Sequence, residues 1–145
     1  MRILLALSLL ILLASCKGNV TTSKNTKVNL DSLVQLYPDS VPLLVTYGRQ
    51  LLDDYQLADA LNYGAKAFRL DSNNIEARFI YASALVNRPQ RSQADIDVSQ
   101  KHLKYIIQKQ PGNKEAFLNL ATTYTLQSDF QKSFGFINEA LKIDK

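Results

Sequence analysis

Hydrophobic and polar positions follow three rhythms along the chain. From Ile3 to Leu13 every position except Ser8 is apolar, and Arg2 stands in front. A helix that spans a bilayer takes about 20 apolar residues, so this run is too short. A positive residue, a short apolar core and then small residues form the pattern of a cleavable secretory signal. Residues 17–27, Lys-Gly-Asn-Val-Thr-Thr-Ser-Lys-Asn-Thr-Lys, carry no apolar period and read as a flexible tether. From Leu30 the spacing becomes helical. Leu30-Asp31-Ser32-Leu33-Val34-Gln35-Leu36-Tyr37-Pro38 predicts a short helix that the proline ends.

Three longer segments follow with a shared pattern. The first runs from Leu44-Val45-Thr46-Tyr47-Gly48 through Ala60 and Ala67 to Leu70-Asp71-Ser72-Asn73-Asn74. The second runs from Ala77-Arg78-Phe79-Ile80-Tyr81-Ala82 to Gln110-Pro111-Gly112-Asn113. The third runs from Ala116-Phe117-Leu118-Asn119-Leu120-Ala121 through Ser128-Asp129-Phe130 to Ala140 and Leu141-Lys142-Ile143-Asp144. Ser72 lies 34 residues after Pro38, and Pro111 lies 39 after Ser72. A spacing of 34 with two helices per unit resembles the tetratricopeptide repeat.

The resemblance is most complete in the third unit. Phe117 stands at the large aromatic position, Leu120-Ala121 at the Leu-Gly pair, Tyr124 at the tyrosine, and Ser133 and Ala140 at the small positions of the second helix. The first unit has Leu44, Tyr47-Gly48, Leu51, Ala60 and Ala67 there, and the second has Arg78, Tyr81-Ala82, Leu85, Ser99 and Ile106. Arg78 and Ile106 depart from the pattern. Extra residues around Asn87-Arg88-Pro89-Gln90-Arg91 lengthen the turn between the second unit's helices. Small residues at Gly48, Ala82 and Ala121 suit a close helix approach, where a large side chain would overpack by about 1–3 kcal/mol. Asp71, Asn74 and Asn113 are candidate caps. The competing reading is an unrelated antiparallel helical bundle. The resemblance implies an all-α fold: a short right-handed α-solenoid of about three helix-turn-helix units, near 41–74, 75–113 and 114–145, plus an N-terminal helix that covers the first unit. The domain then spans 28–145. No polar carboxy-terminal cap follows, which leaves Phe134, Phe136 and Ile137 of the last helix as candidates for exposure.

The sequence Leu13-Ala14-Ser15-Cys16 resembles the lipobox of bacterial lipoproteins. That resemblance implies a signal peptide over 1–15, cut before Cys16, with residues 16–27 as a lipidated cysteine and its tether. An ordinary secretory signal with a chance cysteine is the other reading. One acyl chain holds a protein marginally, at roughly 0.8 kcal/mol per buried CH₂, so two or three chains are expected. Lys17, rather than an aspartate, leans toward the outer membrane.

Composition narrows the remaining chemistry. The chain is 46% hydrophobic and 21% charged, ordinary for a globular protein. Its 17 basic and 13 acidic residues give +4; without Arg2 the balance is 16 to 13, or +3. The basic residues are scattered, which argues against nucleic acid. Cys16 is the single cysteine, so no internal disulfide forms. His102 is the single histidine and, among Lys101, Leu103 and Lys104, reads as a surface residue. The pair Asp53-Asp54 reads as solvated. No metal site, cofactor or catalytic constellation emerges, and no enzyme is expected.

Tetratricopeptide arrays hold peptides or helices along the first helices of their units. The resemblance implies a partner groove of Val45, Arg49 and Leu52 in unit one, Glu76, Phe79, Ser83 and Val86 in unit two, and Glu115, Leu118, Asn119, Thr122 and Thr125 in unit three. Some members of the family clamp a terminal carboxylate, but Val45, Ile80 and Glu115 occupy three of the clamp positions, so that clamp is not expected. The function implied is an adaptor or assembly scaffold of the bacterial envelope, anchored to the membrane through Cys16 and holding another envelope protein. The alternatives are a self-associating structural subunit and a non-catalytic part of an enzyme complex.

Overall fold

The helical spacing from Leu30 onward becomes seven α-helices in a computed structural model that describes residues 29–143. They are α1 Leu30–Leu36, α2 Val41–Asp53, α3 Leu57–Leu70, α4 Ile75–Asn87, α5 Gln93–Lys109, α6 Lys114–Leu126 and α7 Phe130–Ile143. There is no strand among the described residues. The expected signal, Cys16 and the tether lie outside them. No described helix is long and apolar enough to cross a membrane.

Local chemistry sets the helix ends. Asn74 and Asn113 each accept, through the side chain, a backbone N–H of the first turn that follows: Ala77 N at 2.9 Å and Ala116 N at 2.9 Å. Asp71 instead accepts from Asn73 N, 3.0 Å away, inside the turn. Ser92 and Asp95 cap α5 reciprocally, as a capping box. Short turns make successive helices antiparallel neighbours. Each helix packs on the next, and α4 also touches α2 and α6. Among the described residues the backbones of α3 and α5 do not come within 8 Å of each other, nor do those of α5 and α7, and α3 meets α5 through side chains such as Phe68 and His102. The first helices α2, α4 and α6 therefore form the inner, concave layer, and the second helices splay outside it.

The units are 34 and 39 residues from helix start to helix start, at Val41, Ile75 and Lys114. Two of the five extra residues lengthen the α4–α5 turn, which has five residues where the α2–α3 and α6–α7 turns have three. The other three lengthen α5, with 17 residues against 14 in α3 and α7. Asp95 secures this join: it receives a 2.6 Å bond from Arg88 and a 2.7 Å bond from Ser92 N. The Ser92 backbone donor, then the Arg88 guanidinium, hold its carboxyl below the usual range.

The core runs along the contacts between layers. Leu44, Ile80, Leu103, Ile106 and Leu120 are fully buried. Gly48 lies where expected: a Cβ there would meet Tyr63 Cβ at 3.6 Å and Ile80 Cγ2 at 3.3 Å. The tighter place is Gly64, where a Cβ would stand 2.7 Å from Ile80 Cγ2 and 2.9 Å from the backbone nitrogen of Tyr81.

The two departures in unit two are explained by packing. Arg78 puts its guanidinium over two rings, 4.8 Å from Phe68 and 3.9 Å from Tyr105, so a flat cation fills a slot that suits an aromatic. Ile106 is wholly buried in a cluster with Phe79, Leu103 and Leu120. His102 corrects the expectation of a surface residue. It is 9% exposed and sits edge-on to Phe68 and Tyr81. The same place in α3 and α7 holds Tyr63 and Phe136, which pack inward on Tyr47 and Tyr124. Phe136 is thus not an exposed residue of the last helix. The large side chains that α7 does expose are Phe130, Phe134 and Leu141. At the other end α1 covers α2 alone, burying Val34, and Tyr47 donates to Asp31 at 3.3 Å.

Candidate partner-binding groove

Arg49 organises the inner layer. It lies in α2, one turn before Asp53, and points across α4 toward α6. Its Nη1 meets Glu76 Oε1 at 3.2 Å, and its Nη2 donates to both Glu115 oxygens, at 2.7 and 2.6 Å. Its Nε is 3.5 Å from Asp53, and the guanidinium carbon sits 5.1 Å from the Phe79 ring centre. Burial pulls against the Arg49 charge, but Glu115, Glu76 and Asp53 outweigh it and raise its pKa. Burial lifts the Glu76 carboxyl above its ordinary value despite Arg49, and Glu115 and Asp53 add to the lift.

Beside this cluster lies an open cavity of about 230 Å³. Of the expected groove residues, Arg49, Leu52, Phe79, Ser83, Glu115, Leu118 and Asn119 line it. Phe79 and Ser83 form its floor at 3% and 1% exposure. Asn87 donates to Asn119 Oδ1 at 2.9 Å and so links α4 to α6 along one wall. Glu76 meets the cavity only through Arg49. Val45 packs against Leu44, Leu51 and their neighbours in the α2–α3–α4 core. Val86 is 1% exposed and is a packing residue rather than a groove residue, because α4 is flanked on all sides by α2, α3, α5 and α6. Thr122 bonds back to Leu118 O at 3.0 Å. Thr125 shares a 2.8 Å hydroxyl contact with Ser133 that joins α6 to α7, away from the cavity.

Four lining residues fall outside the expected set: Asp53, Tyr55, Leu57 and Asn87. Asp53 was readable from its i, i+4 spacing to Arg49, which places both on one helix face. Tyr55 sits in the α2–α3 turn with φ 57° and is 83% exposed at the cavity rim. Among the described residues no group of three or more His, Cys, Asp or Glu is placed to hold a metal ion.

No protein-family model matches the chain, and no curated protein matches it by sequence. Solved structures match it by shape. "YrrB: a TPR protein with an unusual peptide-binding site" aligns with TM-score 0.65 at 24% identity, over 79% of this chain and 56% of that one. "MamA MSR-1 C2" aligns with TM-score 0.63 at 16% identity, over 79% and 63%. "MamA AMB-1 P212121" aligns with TM-score 0.61 at 17% identity, over 79% and 60%. The chain therefore spans less than two thirds of the length of each. At these identities the likeness concerns fold: the described residues form an all-α solenoid of the tetratricopeptide type, three helix pairs with a leading helix.

Proposed function

We propose that this protein is a lipid-anchored adaptor of the bacterial envelope that holds a segment of another protein along its concave face. The observation that carries the holding role is the open cavity on the inner layer, lined by side chains from all three units. The solenoid likeness supports it, since stacked helix pairs present such a face to peptides and helices. The peptide-binding site named for YrrB is carried here as part of the proposal. The anchor rests on Leu13-Ala14-Ser15-Cys16 and the apolar run before it. Lys17 leans the proposal toward the outer membrane. The adaptor has no chemistry of its own and needs no cofactor.

Crosslinking the full-length protein in its own cells and purifying it through a carboxy-terminal tag tests the role. One defined envelope protein, lost on Leu118→Arg, is the expected result. Leu118 is 39% exposed, so this change alters the cavity without emptying the core. Capture unchanged by Leu118→Arg would sink the groove. The anchor has its own test: Cys16→Ala should abolish incorporation of labelled palmitate, and undiminished labelling would overturn it.

The exposed Phe130, Phe134 and Leu141 of α7 favour a second reading, a subunit that associates with its own copies. Sedimentation mass that rises with concentration would select it.

A further inference from the structure

We propose that the groove selects a basic segment of a partner protein: a lysine or arginine side chain flanked by apolar residues. The inference rests on the adaptor reading for its use of the concave face and adds the chemistry of what is held there.

Charge is the first argument. Arg49 contributes one positive charge, while Asp53, Glu76 and Glu115 contribute three negative ones, a local balance of −2 in a chain whose formal charge is +4. Each ionised carboxylate offers about four acceptor positions. Arg49 takes one on each Glu115 oxygen, one on Glu76 and one on Asp53. The cluster can therefore accept further N–H donors without giving up Arg49. A second anion would face three carboxylates.

The cavity itself supplies an independent argument. Ser83 is 1% exposed on its floor, yet its hydroxyl has no hydrogen-bond partner. A buried hydroxyl left unmade is costly, and this one lies just beneath the floor, so the cavity stands over a spare polar group as well as beside the carboxylates. Leu52 and Leu118 offer apolar wall for the methylene stem of a long basic side chain. The exposed Tyr55 ring at the rim can meet the cationic head face-on. The raised carboxyl of Glu76 agrees with a site that carries surplus negative charge in a partly dry setting.

An array of random peptides, amidated and acetylated so that termini carry no charge, tests the inference against the full-length protein in detergent. Bound peptides are expected to be enriched in Lys and Arg next to apolar residues. The double variant Asp53→Asn, Glu115→Gln should remove that enrichment and weaken the best peptide at least tenfold, with helicity unchanged. Raising the salt should weaken wild-type binding, since exposed charge pairs are screened. Enrichment of neutral or acidic peptides that is lost on Leu118→Asp would overturn the basic preference and leave the concave adaptor standing. Binding indifferent to the double variant would overturn the preference as well. Failure to bind any peptide, with sedimentation showing the face filled by a second copy, would sink both.

Discussion

Gly64 lets α3 and α4 approach to a distance that no Cβ tolerates, and the obstacle includes backbone, which cannot swing aside. Gly64→Ala is expected to lower stability by about 1–3 kcal/mol in urea unfolding. Gly135 is the internal control. It lies within α7 with nothing within 4 Å of a new Cβ, so Gly135→Ala should raise stability by about 1 kcal/mol through helix propensity alone. His102 makes a second prediction. Burial, then the Arg78 and Lys101 charges, lower its pKa to about 4. Its Nδ1 lies 3.0 Å from an Arg78 nitrogen that is always a donor, so the ring is neutral in the fold. The unfolded chain binds a proton near pH 6.5, whereas the folded chain waits until about 4. Stability therefore falls as pH drops through that window. The loss should reach on the order of 2 kcal/mol, from about 1.4 kcal/mol per pKa unit less screening. His102→Phe should flatten that slope in acid denaturation curves. Neither site was legible beforehand. The counterparts of Gly64 are Leu103 and Ile137, so no recurring small residue marked it. His102 was masked by lysines on both sides, although its register with Tyr63 and Phe136 pointed inward.

Among the elements, α5 differs most from its counterparts. Its extra turn and the longer approach to it hang on Asp95, which takes bonds from Arg88 and Ser92. Asp95→Ala removes half of the capping box and should cost about 1 kcal/mol, with faster amide exchange confined to the first turn of α5. Helix number, order and pairing were legible because the small and aromatic positions recur from unit to unit. The way the five extra residues divide between turn and helix was not, because Pro89 marks where α4 stops but nothing there marks where α5 starts except the Ser92–Asp95 spacing. The groove shows the same division. Positions one and two turns along the first helices, such as Arg49 and Leu118, could be carried over from the repeat. Tyr55 and Leu57 reach the cavity from a turn and from the start of a second helix, which a first-helix register does not cover. Val86 went wrong for a related reason: the register gives a direction along α4, but α4 is enclosed by its neighbours and has little free face.

For the whole molecule, the two ends are unequal. α1 closes the first unit, while α7 leaves Phe130, Phe134 and Leu141 at 56%, 65% and 55% exposure. Phe134→Asp should leave the unfolding free energy within about 0.5 kcal/mol of the parent, as surface changes do. If copies associate through α7, the same change should reduce sedimentation mass at high concentration; an unchanged mass would remove α7 from that role.

Arg49 has a further consequence for the whole array. Stacked repeats ordinarily couple only to their neighbours, so their end units loosen one at a time. Here α2 and α6 do not pack on each other, yet one guanidinium reaches from the first unit to the third through Glu115. The pair is a chord drawn across an arc. While the pair holds, its length limits how far the inner layer can open, and it adds a direct link between the first unit and the third that is worth about 0–1 kcal/mol for groups this exposed. A guest that donates to the open positions of Glu115 and leaves Arg49 in place would fill the groove without releasing the chord.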